Sequence, residues 1–167
     1  MVELTPKERL QPALLDRLTD NEPDKTVESR EQRVISVEKL RRSVIRDLEW
    51  LLNAVNLSST VDLEPYPLVA SSVLNYGLPA FGGHPASSFD TATLERHIRQ
   101  AIWNFEPRIL RNTLQVRAVL DESQMNRHAI AFEISGELWA QPLPIRLFLK
   151  TEIDLEDNHA RVLETLR

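Results

Sequence analysis

The spacing of apolar positions divides the chain into two helical segments, a proline-rich stretch between them and a closing run of strands. From 34 to 55, Val37, Leu40, Val44, Leu48, Leu51 and Val55 recur at steps of three and four, which draws one apolar stripe along a helix. Ser36 stands where an N-cap belongs, and Glu38 falls in the first turn. A second helix is predicted over 91–105, with Leu94, Ile98, Ile102 and Phe105 as its stripe and Asp90 or Thr91 as its cap. Pro107 ends it, because the residue before a proline is driven out of the α region. The period then changes to two. Leu114, Val116, Ala118 and Leu120 alternate with Gln115 and Arg117, and Ile130, Phe132 and Ile134 alternate with Ala131, Glu133 and Ser135. Gly136 is expected to mark a bulge or bend. Leu143, Ile145, Leu147, Leu149, Thr151, Ile153 and Leu155 form the strongest alternation in the chain. After a turn at 156–159, residues 160–166 can return as a fourth strand, which as the chain-end strand is expected at a sheet edge.

Two segments are less regular. Residues 1–33 are polar and carry prolines at 6, 12 and 23. Within them Leu14, Leu15 and Leu18 share a helical face after Pro12, which predicts a short docking helix on an arm. Residues 56–89 hold four prolines and three glycines, and a loop of that length in a compact domain is often an interface. Val69, Val73, Leu74, Tyr76 and Leu78 are expected to pack onto the core, with Gly77 turning the chain at positive φ. The domain organisation that follows is an arm over 1–33 and one α+β domain over 34–167: an antiparallel sheet of three to four strands with two main helices.

Composition narrows the function by exclusion. The chain has 167 residues, 20 Lys and Arg against 25 Asp and Glu, and no cysteine. A net charge of −5 gives no general basic footprint, so no nucleic-acid partner is expected. The lack of cysteine removes disulfides, zinc fingers and a thiol nucleophile. No apolar run approaches the ~20 residues that span a bilayer, and Met1–Leu10 has no apolar signal core, so a cytoplasmic protein without membrane insertion is expected. Locally the charge is uneven. Arg41, Arg42 and Arg46 line one face of the first long helix with Lys39, either as a solvated face with intrahelical pairs or as a surface for an acidic partner.

The sequence holds no catalytic constellation. There is no G-x-S-x-G elbow, no phosphate-cradling glycine loop and no H-x-x-x-H pair among His84, His97, His128 and His159. A glycosidase needs two placed carboxyl groups, and only Glu106 has an unusual context, between Phe105 and Pro107. No cofactor, metal or small-molecule substrate is therefore expected. With Glu106 held extended by Pro107, Glu106 and Arg108 form a rigid acid-and-guanidinium fork, suited either to polar recognition or to a local ion pair at a helix end.

At these residues the chain resembles a known family. Ser36–Asn53 looks like the helix of TssE, the type VI secretion baseplate subunit related to the contractile-phage baseplate wedge proteins of the GPW family. Leu14–Thr19, Ser72–Pro79 and Phe105–Arg108 agree in order, and the likeness covers about residues 10 to 155. The resemblance implies a non-enzymatic structural component whose partners are baseplate wedge subunits and sheath subunits. It implies that the sheet templates sheath polymerisation by strand augmentation, through Leu147, Leu149, Thr151, Ile153, Val162 and Glu164. It also implies that Glu106, Pro107 and Arg108 hold the subunit to the wedge. The alternatives are a wedge protein of a phage-derived tail, and a peptidoglycan hydrolase, since the family is sometimes labelled lysozyme-like; the missing catalytic set speaks against the latter. The loop at 80–88 matches nothing in the family pattern.

Overall fold

The computed structural model describes residues 13–19, 23–24, 36–80, 90–119, 129–140, 144–154 and 159–165. The glycine- and histidine-bearing loop from residue 81, the turn at 121–128, residues 155–158 and the strand ends at Leu120, Leu143 and Leu166 lie outside the described residues.

Four helices precede four strands: α1 (Leu14–Leu18), α2 (Val37–Asn53), α3 (Pro67–Ala70) and α4 (Thr91–Phe105), then β1 (Gln115–Val119), β2 (Ala129–Leu138), β3 (Ile145–Asp154) and β4 (Ala160–Glu164). The strands form one antiparallel sheet in the order β1-β2-β3-β4. The fold is α+β, as the period change after Pro107 predicts. Both long helices start at the expected caps. Ser36 accepts the Lys39 N–H through its hydroxyl at 3.1 Å, and the Asp90 carboxylate accepts from Ala92 N–H.

One face of the sheet carries the core. Val116, Phe132, Ile134, Leu147, Leu149, Ile153, Ala160 and Val162 are buried there against Leu40, Val44, Leu48 and Leu51 of α2 and Leu94, Ile98 and Ile102 of α4. Helix α2 lies over β4, and α4 lies over β1. The α2 stripe is shorter than its spacing suggests. Val37 and Val55 are exposed, while Leu52 joins the core instead.

Two expectations change. The Gly136 bulge is absent: β2 runs through Gly136 in unbroken register with β3, opposite Leu147. The glycine instead answers a close approach, because a Cβ there would come within 3.2 Å of Ile109 Cγ2. Of the five residues expected to pack down from the proline-rich stretch, Leu78 alone is buried and Tyr76 packs partly; Val73 and Leu74 stay 79% and 67% exposed. Polar bonds shape that stretch where packing was expected. Ser72 caps the short turn Val73–Asn75, and Asn75 donates to Ala70 O and accepts from Ser58 N–H. Gly77 does turn the chain at φ +119°, against Ala54 O, so that Leu78 N–H reaches Ala54 O at 2.8 Å. In the short helix of the arm, Leu14 and Leu18 are 70% and 72% exposed in this chain.

Candidate functional site

The acid-and-guanidinium fork forms where α4 stops, and it turns inward. Glu106 is the C-cap of α4 and is only 3% exposed. Its Oε1 accepts the Arg108 backbone N–H at 3.0 Å and Arg108 Nε at 2.7 Å, while Oε2 pairs with Nη2. This is a bidentate arginine–carboxylate pair made possible by Pro107, which holds the two side chains on the same side. Arg108 also reaches α2, donating to Asp47 Oδ2 and to Ser43 Oγ at 3.2 Å. Burial acts to lower the Arg108 pKa, but the bonds and charges of Glu106 and Asp47 outweigh it and hold the guanidinium above its ordinary value. Arg108 O then accepts Trp139 N–H at 2.7 Å, and Leu110 N–H donates to Glu137 O, which clips the segment to the end of β2. The fork therefore ties α2, α4 and the sheet together at one corner.

Asp47 extends the network outward. Its Oδ1 pairs with Arg46, and Arg46 Nη1 donates to Asp16 of α1 at 2.8 Å. Arg46 also lies over the Trp50 ring, 5.1 Å from its centre. So α1 is held by a carboxylate, with its leucine face turned to solvent. Tyr76 closes the corner: its ring meets Phe105 edge-on at 5.2 Å, and its hydroxyl faces Asp47 O at 3.5 Å. Burial first, then the charges of Asp47 and Glu106, push the Tyr76 pKa up. Along the basic face, Arg41 bonds Glu164 of β4 and the backbone oxygen of Arg146, so two of the three arginines bind within the fold. Arg42 stands exposed, with no ion pair among the described residues.

The expected strand-pairing residues fall on two different strands. Leu147, Leu149, Thr151 and Ile153 lie on β3, which is interior, and the last three pair directly with Glu164, Val162 and Ala160. Their side chains point into the core. Val162 and Glu164 lie on β4, which is an edge as expected. In the antiparallel ladder, His159 and Thr165 of the last segment bond β3 through Asp154 and Phe148. Alternation then directs the N–H and C=O groups of Ala160, Val162 and Glu164 away from β3. The Asn53 amide, at the end of α2, occupies both groups of Ala160: it donates to Ala160 O at 2.8 Å and accepts from Ala160 N–H at 2.9 Å. On the opposite edge, Glu95 of α4 accepts Ala118 N–H at 2.7 Å and Arg99 donates to Val116 O at 3.2 Å.

Sequence reasoning named the fork but missed Ser43, Asp47 and Tyr76 around it, and Asn53, Glu95 and Arg99 at the edges. The four-residue spacings Ser43–Asp47 and Glu95–Arg99 were a readable sign that each pair shares a helix face. Nothing local in the sequence says what those faces meet. Among the described residues no cluster of three His, Asp or Glu side chains could hold a metal ion, and no helix is long and apolar enough to cross a membrane. His97 is on α4, the helix that ends at the fork, and His159 lies just before β4; among the described residues they share no metal-binding cluster.

Comparison with known proteins supplies one match. The family model described as baseplate wedge protein gp25 covers residues 38–143, more than half of the chain. No curated protein and no solved structure matches it.

Proposed function

The chain belongs to the baseplate wedge protein gp25 family, and from that premise we propose that it is a type VI secretion baseplate subunit that starts sheath polymerisation by lending its sheet edge to a sheath strand. The family is one of structural baseplate components of contractile tails, which assemble with other baseplate proteins. The finer reading is carried by one observation: β4 is an edge strand whose Val162 and Glu164 backbone groups point away from the sheet and meet no described residue. An edge of this kind binds an extended segment through main-chain bonds, with little demand on its sequence. That suits a template on which identical subunits are laid down. In this reading Glu106, Pro107 and Arg108 hold the corner that meets the wedge, exposed Arg42 is the part of the basic face left for a partner, and the subunit works on the cytoplasmic side of the inner membrane. The Leu14–Thr19 motif favours the secretion machine over a phage-derived tail. No catalytic step is invoked.

The geometry selects the test. Proline within 147–153 would break an interior strand bonded on both sides, so it would report on folding alone. Val162→Pro removes no backbone bond to β3, since its N–H points away from that strand; because the Val162 side chain is buried in the core, Val162→Ala serves as the packing control. Arg161→Pro removes one that bonds β3 and serves as the folding control. In cells with a fluorescent sheath subunit, Val162→Pro is expected to abolish sheath assembly while the subunit still co-purifies with the wedge. Sheaths forming at the normal frequency would overturn the augmentation reading.

A further inference from the structure

The two edges of the sheet are closed to different degrees, and side chains from the helices do the closing. On β1, Val116 and Ala118 point their backbone groups outward, and the two groups nearest each other are already bonded. Arg99 takes Val116 O, and Glu95 takes Ala118 N–H. Each rung that an incoming strand could form there lacks one of its two hydrogen bonds, and two helix side chains fill the approach. On β4, Asn53 takes both outward groups of Ala160. The same amide donates to Glu49 O at 2.7 Å, so it is anchored to its own helix and does not swing freely. Among the described residues, nothing bonds the outward groups of Val162 and Glu164. The Glu164 side chain pairs with Arg41 of α2 at 2.9 Å.

We propose that Glu95, Arg99 and Asn53 decide where a partner strand adds to this sheet. Glu95 and Arg99 shut the β1 edge. Asn53 stops pairing at Ala160, so an extended segment of another chain lands on Val162 and Glu164 in one register. The proposal rests on the strand-addition reading and goes beyond it by naming what excludes the second edge and fixes the register. The logic is that of a sheet protected against edge-to-edge association at one side and left open at the other. The partner segment has no proline at its two paired positions, since each must donate an N–H. Side chains with Gln or Lys in place of Glu95 or Arg99 keep a group that can still cap the edge.

A synthetic peptide copying residues 145–154, the segment that pairs with β4 within the fold, is a suitable probe. Amide hydrogen exchange in the full chain, followed residue by residue by NMR with and without the peptide, locates the pairing. In the unsubstituted protein the peptide is expected to slow exchange at Val162 and Glu164 at least tenfold and to leave Val116 and Ala118 unchanged. The Glu95→Ala, Arg99→Ala double variant is expected to gain similar protection at Val116 and Ala118, and Glu95→Gln with Arg99→Lys to lose that gain. Asn53→Ala is expected to extend peptide protection to Ala160. Protection of β4 that the variants leave unaltered overturns the role of the three side chains while the strand-addition reading stands. Protection of β1 in the unsubstituted protein overturns it as well. Protection that appears only at β1 of the double variant supports the closure of that edge and sinks strand addition at β4. No protection at either edge in any variant overturns both.

Discussion

Glu106 is a carboxylate almost fully removed from water, and it is tolerable there only because Arg108 meets it with three donors. Removing the guanidinium leaves that charge without its partner. Arg108→Ala is therefore expected to cost about 3 kcal/mol, the low end for breaking a buried pair because Arg108 keeps some contact with solvent. Glu106→Gln keeps the shape and the acceptor oxygen and should cost clearly less. Urea denaturation of both variants checks the order, and equal losses would mean that charge pairing is not what Arg108 supplies. Thr151 presents the opposite case. It is fully buried at the centre of the sheet, and its hydroxyl has no hydrogen-bond partner among the described residues. Thr151→Val replaces that hydroxyl with a methyl group and is expected to stabilise by about 1 kcal/mol, since an unsatisfied buried hydroxyl costs ~1–3 kcal/mol. A lower denaturation midpoint would show that the hydroxyl is engaged after all.

At the scale of elements, the polar corner explains how short pieces are held without a large apolar contact. Helix α1 is five residues long and buries none of them, yet Asp16 fixes it to Arg46 of α2. The stretch carrying Tyr76 is likewise pinned by one ring against Phe105 and by the turn at Gly77. Tyr76 makes this joint sensitive to alkali. Its folded pKa is raised above the ordinary value of 10.0, so the unfolded chain loses the phenolic proton first as pH rises. The contribution of the neutral phenol is complete below pH 10 and is lost progressively above it, through the raised folded value. Stability measured against pH should therefore fall above pH 10, and Tyr76→Phe should make that fall shallower. The hydroxyl's 3.5 Å contact with Asp47 O is long, so the same substitution should cost little at neutral pH. An unchanged alkaline slope would remove Tyr76 from the account.

At the scale of the whole molecule, the proposed function assigns the corner at Glu106 to the wedge and the edge at β4 to the sheath, so each assignment has its own test. Arg108→Lys keeps the charge but loses the fork geometry. It is expected to weaken co-purification with the wedge more than it lowers the melting temperature, and unchanged wedge binding beside a large thermal loss would make the fork purely structural. The α+β class, the caps at Ser36 and Asp90, the stop at Pro107 and the inward face of β3 were all legible in the chain, because period, capping and proline geometry are local and repeat along it. The left-handed turn at Gly77 was legible for the same reason. Whether Gly136 marked a bulge or a close approach was not, since the answer is Ile109, 27 positions away in the chain (136 − 109). Nor could the chain say that the leucines of α1 face solvent, that Arg41 and Arg46 bind inside the fold, or that Leu147 to Ile153 belong to an interior strand. By itself the sequence determined the elements and the faces that must be covered. Only the tertiary structure decided which side chain covers each remaining polar group, because a hydrogen bond to Val116, Ala118 or Ala160 depends on a helix being brought beside a strand edge from far along the chain.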